Sequence, residues 1–166
     1  MPVVPVDETN PYQSLFTFTP ATAKFFFGRE PEIQKLVQQV QDCSFVPVIG
    51  ASGSGKSSLV RAGLIPRLLE LGWRVLEPIK PGAEPLVTLK LAVGKLFEAA
   101  EREEVYGILE QQGLGSIVSR LPGDKRVLLV VDQFEEVFTL CQDRQQQQRF
   151  IDCLCVSSSQ TTAAWW

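Results

Sequence analysis

Between Phe45 and Leu59 the chain reads FVPVIGASGSGKSSL, an apolar run that breaks into a glycine-rich turn and then into a helix-forming stretch. Gly50, Gly55, Lys56 and Ser57 fill the spacing GxxxxGK[ST], with Ala51, Ser52, Gly53 and Ser54 between them and Ser58 after. Each residue type has a reason to be there. Glycines let successive backbone N–H groups turn inward around an anion, and the positive end of the following helix adds to that field. Lys56 is spaced to reach the β and γ phosphates of a nucleotide, and the Ser57 hydroxyl can serve a magnesium ion, which takes a few oxygen ligands and keeps several waters. A strand before and a helix after the turn are the context this pattern needs, which separates it from a flexible serine-glycine turn.

A second group of chemically capable residues follows the turn Pro122-Gly123-Asp124. Arg126 to Val131, RVLLVV, is a continuous apolar run suited to a strand buried on both faces of a parallel sheet, and it ends in Asp132, Gln133, Phe134, Glu135 and Glu136. In open α/β sheets ligands gather at the carboxyl ends of the strands, so Asp132 falls on the same rim as the glycine-rich turn and is the second candidate magnesium anchor. Glu135 or Glu136 is placed to orient and polarise a water for attack on the γ phosphate. The competing reading is that these acids cap the segment that follows.

The elements that must position these groups can be read around them. The chain has 166 residues, 45% of them hydrophobic, enough for one domain with a real core. A net charge of -3 offers no basic footprint, so nucleic acid is not an expected partner. No apolar run approaches the roughly 20 residues of a membrane helix, and the start MPVVPVDETNP lacks the pattern of a secretory signal; the expected location is cytoplasmic. The four cysteines, Cys43, Cys141, Cys153 and Cys155, match no zinc spacing. They read as idle reduced thiols, with a Cys153/Cys155 redox pair as the alternative.

Residues 1–22, with four prolines among polar residues, read as an extended arm. Pro31 then opens a helix whose Ile33, Leu36, Val37 and Val40 share one face. Phe25 to Phe27 are read mainly as core, with the turn Phe27-Gly28-Arg29 as a candidate border for a nucleotide base. Pro47 argues against a strand paired on both sides over residues 45–49. The helix after Lys56 carries Leu59, Val60, Leu64, Leu68 and Leu71 on its apolar face. Pro66 predicts a kink or early break, and Gly72 a C-terminal cap. A short strand is expected over 73–76. A helix should open at Pro85 with Leu89, Ala92, Val93, Leu96 and Ala100 inward, and two short helices should flank Gly113 and Gly115.

With these residues in view, the chain resembles the STAND class of signalling P-loop NTPases, and within it the novel-STAND type often fused to WD-repeat or other sensor modules. The resemblance rests on NPYQSLFTFTPATAKFFFGREPEI, GASGSGKSSLVRAGLIPRL, GWRVLEPIKPGAEPL and LLVVDQFEEVFTL, which together cover most of residues 10–140. It implies a three-layer α/β/α sandwich with a mainly parallel sheet, a Walker A loop and a Walker B strand, and ATP or GTP bound with Mg2+. It also implies a switch whose nucleotide state controls assembly with effector modules. By that likeness Lys56 and Ser57 hold phosphate and metal, Asp132 holds metal through water, Glu135 or Glu136 serves hydrolysis, and Phe27 to Arg29 border the base.

Relatives continue past the acidic motif with another core strand, a polar or arginine sensor and a helical lid. Here a short helix around Ile151 and Leu154 is followed by SSSQTTAAWW, read as a disordered tail over 157–166 after an NTPase domain over 23–156. The sheet is therefore expected to be incomplete on its C-terminal side, as in a fragment or a truncated or frameshifted product, with open space beside Pro47. Three functions follow from this reading: a signalling NTPase core with weak or absent hydrolysis, a small kinase that phosphorylates a metabolite, or a non-functional remnant.

Overall fold

Pro31 opens a helix where its missing N–H is harmless, and Glu30–Asp42 (α1) buries Leu36 and Val40 and half-buries Ile33 and Val37, the predicted face. The computed structural model describes residues 18–123, 125–155 and 161–165. Within the first of these spans, Pro20–Phe25 forms a 3-10 helix in which Thr19 and Thr22 cap one another reciprocally. This corrects the expected arm at its C-terminal end; residues 1–17 lie outside the described ones. Phe25 and Phe26 are partly buried and Phe26 packs on the core, whereas Phe27 is 74% exposed.

After α1 the chain enters Phe45–Pro47 (β1), turns through the glycine-rich loop and rises into one continuous helical rod. The rod consists of Lys56–Ser58 (α2), a π-helical stretch Leu59–Leu64, and Ile65–Glu70 (α3). The break expected at Pro66 does not occur. In place of a kink the rod widens by one residue, with the Ile65 N–H bonded to the Val60 carbonyl, so Pro66 falls in the first turn of α3. Gly63 lets α1 come close: a Cβ there would lie 2.7 Å from Ile33 Cγ1. The rod closes at Gly72, whose N–H bonds Leu69 O while that of Trp73 bonds Leu68 O, a Schellman cap. Leu71, predicted to face inward, lies past the last helical turn and is exposed.

Arg74–Val75 (β2) follows, then Pro85–Gly94 (α4), a 3-10 turn Ala99–Glu101, and Arg102–Val118 (α5). The α4 face buries Leu89, Ala92 and Val93 as expected, but the helix ends at Gly94 and leaves Ala100 exposed. The two helices expected on either side of Gly113 are the halves of α5, which breaks at that residue. Val127–Val131 (β3) has all five residues buried; Glu136–Thr139 (α6), Arg144–Cys155 (α7) and Thr161–Trp165 (β4) complete the described elements.

The four strands form an all-parallel sheet in the order β1-β4-β3-β2. Successive side chains of β3 point to opposite faces. Leu128 and Val130 pack with α1 and the rod, through Leu36, Val40, Val60, Leu64 and Leu68. Val127, Leu129 and Val131 pack with α4, α5 and α7, through Leu89, Val93, Leu109, Leu114 and Phe150. The result is the expected three-layer α/β/α arrangement around a mainly parallel sheet.

The end of the chain departs from the sequence reading. Residues 161–165 are a strand of the sheet and no tail, so the folded unit extends at least to Trp165. Periodicity could not reveal it, because Thr-Thr-Ala-Ala carries no large apolar residue. Burial of Thr162 depends on a distant partner: its hydroxyl lies 3.1 Å from both the Val40 and Cys43 carbonyl oxygens, which are left over at the end of α1.

Pro47 does sit at an open side. β4 is bonded through the Ser44 carbonyl and the Val48 N–H, and the alternation of a parallel ladder turns the Pro47 nitrogen to the outer edge, where no described strand lies. The redox alternative for Cys153 and Cys155 fails, since the first is buried and the second exposed on α7, and all four cysteines are free. Burial, reinforced by Glu110 and Asp152, pushes the Cys153 thiol from 9.0 up to about 11. No helix among the described residues is long and apolar enough to cross a membrane.

Candidate functional site

All strands run the same way, so the loop after β1 and the acidic turn after β3 emerge on one rim of the sheet. With β4 between them, two strand spacings separate β1 from β3, roughly 10 Å. Val48 extends the pairing by one bond to Trp165 O at 2.7 Å, and Ile49, 85% exposed, leaves the sheet.

The loop itself is tightly turned. Ser54 N bonds Ala51 O at 3.2 Å, and Gly53 and Gly55 adopt φ of 75° and 82°, which other residues reach only with strain. At Gly50 a Cβ would stand 2.9 Å from Ser54 Oγ. Gly55 caps the rod, its carbonyl accepting from Leu59 N at 2.8 Å. Lys56 Nζ folds back over the loop and donates to Gly50 O at 2.7 Å and Ala51 O at 2.9 Å. Ala51, Ser52, Gly53 and Ser54 are exposed, and Ser57 is half-buried in the first turn of the rod. Ser58 is engaged elsewhere: its Oγ accepts from Phe18 N at 3.2 Å, fastening the segment before α1 to the rod.

On the other side of β4, Asp132 is buried and its backbone N–H donates to Ile79 O at 2.8 Å. Its Oδ2 accepts from Arg61 Nη2 at 3.1 Å, an ion pair that reaches from the rod to the end of β3. Gln133 follows with φ of 56°, uncommon for a residue with a side chain, and accepts from Lys80 Nζ at 2.6 Å. The two glutamates have different surroundings. Glu136 Oε2 accepts from Gly82 N at 3.1 Å and so anchors the loop between β2 and α4, while Glu135 is exposed with no bonded side-chain partner among the described residues.

Phe27, Gly28 and Arg29 are not bonded to the loop. Gly28 N donates to Glu30 Oε1 at 3.2 Å and Arg29 pairs with Glu32 at 3.0 Å, so this turn is held by α1 itself. Sequence reasoning missed Arg61, although a signal existed: one arginine inside the apolar run LVRAGLI has to find an acid once that run is buried. It also missed Trp165, whose ring lies tilted against Phe45 and Phe134 at centroid distances of 5.7 and 4.8 Å. Nothing local in SSSQTTAAWW signals that contact.

Chemically, the rim offers a loop of inward-capable N–H groups with a lysine beside it, a half-buried serine, a buried carboxylate two strands away and a solvent-facing carboxylate three residues further on. A comparison with curated proteins gave no match, nor did one with solved structures. The family model described as Novel STAND NTPase 1 matches residues 11–164, a span that includes the glycine-rich loop, the β3 acidic turn and β4 up to Ala164. On that match, and on the α/β fold that accompanies it, the chain belongs to the Novel STAND NTPase 1 family.

Proposed function

We propose that the chain is the nucleotide-binding core of a signalling NTPase, taking ATP or GTP with Mg2+ at the rim between the loop of residues 50–58 and Asp132. The observation that carries this reading is the placement of Lys56, folded over a glycine-rich turn at the start of a long rod, on the same sheet edge as a buried aspartate. The loop N–H groups and Lys56 would hold the phosphates. Ser57 and Asp132 would serve the metal, and this all-oxygen donor pair suits magnesium, which completes its shell with phosphate oxygens and water. Bound magnesium would neutralise charge on the β and γ phosphates.

Of the two glutamates, Glu135 is the better candidate to orient a water, because Glu136 is committed to the Gly82 backbone. The Phe27-to-Arg29 turn remains a candidate border for the base. In this reading, which carries over the resemblance to signalling NTPases, nucleotide state would govern assembly with effector or WD-repeat modules. A titration of the chain with ATP and with GTP, each with and without magnesium, tests the reading: it predicts saturable binding that magnesium strengthens. Binding of neither nucleotide under any condition overturns it.

A further inference from the structure

Arg61 stands where a charge is costly. The residues around it in the π-helical stretch, Leu59, Val60, Ala62, Gly63 and Leu64, are all buried, and its own side chain is 28% exposed. The guanidinium makes one bond to Asp132, at Oδ2, and the carboxylate it meets is 8% exposed. No described residue bonds Oδ1.

The backbone of Asp132 is already held by the bond from its N–H to Ile79, and the positive φ of Gln133 turns the chain away immediately afterwards. The side-chain torsions are the freedom that remains, and Arg61 removes it. Arg61 also lies on the same rod as Lys56, so its bond ties the helix that carries the phosphate lysine to the strand end that carries the carboxylate, across the width of β4. Arg61 lies within the widened, π-helical stretch that precedes Pro66.

We propose that Arg61 is a positioning residue for the magnesium-bearing carboxylate: by holding Asp132 Oδ2 it keeps Oδ1 as the oxygen offered to the metal's hydration shell. The inference rests on the nucleotide reading above. Pre-ordering a group in this way strengthens binding without adding a contact to the ligand, because the ordering cost is met on folding.

The experiment measures nucleotide affinity with magnesium and with the metal chelated, for the parent chain, Arg61→Ala, Arg61→Lys and Asp132→Asn, alongside a thermal melt of each. The expected result is that Arg61→Ala reduces the strengthening by magnesium about tenfold while the metal-free affinity stays at the parent's value. Arg61→Lys, which can still reach Oδ2 as a point charge, should recover most of the loss, and Asp132→Asn should abolish the magnesium effect. If Arg61→Ala lowers only the melting temperature and keeps the parent's magnesium ratio while Asp132→Asn loses it, the positioning role is overturned and the nucleotide reading stands. A larger magnesium ratio in Arg61→Ala also overturns it, since the guanidinium would then compete with the metal. Should Arg61→Ala fail to fold, Arg61→Met, which keeps the apolar stem and loses the charge, decides: a reduced magnesium ratio in the folded variant supports the role, and an unchanged ratio combined with a loss in Asp132→Asn overturns it. A parent chain that binds no nucleotide sinks the nucleotide reading itself.

Discussion

Replacing Lys56 with alanine separates a binding role from a structural one, because the two effects differ in size. The ammonium donates to Gly50 O at 2.7 Å and Ala51 O at 2.9 Å, and both carbonyls belong to exposed residues that water can serve once the lysine is gone. Two such bonds contribute about 0.5–1.5 kcal/mol each at the outside, and less where solvent replaces them, so the melting temperature should move by only a few degrees, roughly 2–4 °C per kcal/mol. The effect on a triphosphate is larger. A unit charge about 4 Å from another at an effective dielectric near 20 is worth about 4 kcal/mol, and a charged hydrogen bond about 1.5–3 kcal/mol. A loss of about 2–4 kcal/mol corresponds to roughly 30- to 1,000-fold weaker binding. Isothermal titration with magnesium and each nucleotide, paired with a thermal melt of the unliganded variant, reads both numbers. A folded Lys56→Ala chain that keeps the parent's affinity within about threefold would refute the assignment of this loop to phosphate, since the arithmetic allows no such tolerance.

The remaining predictions concern other parts of the rim and the sheet. Glu135→Gln should spare nucleotide binding and lower phosphate release about a hundredfold or more, whereas Glu136→Gln should chiefly cost about 1 kcal/mol of stability by weakening the anchor on Gly82; equal turnover in the two variants would remove the distinction drawn between them. Thr162→Val, which keeps the shape of the side chain and deletes its hydroxyl, should destabilise the chain by about 1–3 kcal/mol in a denaturant melt, because the Val40 and Cys43 carbonyls lose their donor. Thr162→Ser should lose much less, and an unchanged midpoint in Thr162→Val would argue against β4 in the sheet. In the folded protein, iodoacetamide should label Cys43 and Cys155 rapidly and leave Cys141 and Cys153 until denaturant is added. Folding raises the Cys153 thiol from 9.0 to about 11, so its contribution to stability is complete below about pH 9 and is lost as pH climbs through 11. A Cys153→Ala chain with the same alkaline profile would show that another group sets it.

What the sequence by itself determined is whatever is encoded within one element or one turn. The glycine spacing of residues 50–57 demands a tightly turned loop, which Gly53 and Gly55 complete with positive φ. Pro31 and Pro85 start helices, Gly72 stops one, and five adjacent apolar residues at 127–131 require a strand covered on both faces. These signals are local because capping, turn geometry and hydrophobic period act over a few residues.

Tertiary structure decided what depends on partners far away along the chain. Thr162 and Val40 are 122 residues apart, and only when they meet does a polar, small-residue segment become a central strand. Arg61 finds Asp132 across 71 residues, which converts an isolated charge in an apolar helix into a tie across the rim. The difference between Glu135 and Glu136, neighbours with the same chemistry, is set by whether the Gly82 N–H is within reach. A buried polar group can be read only together with the group that satisfies it, and that pairing is a property of the fold.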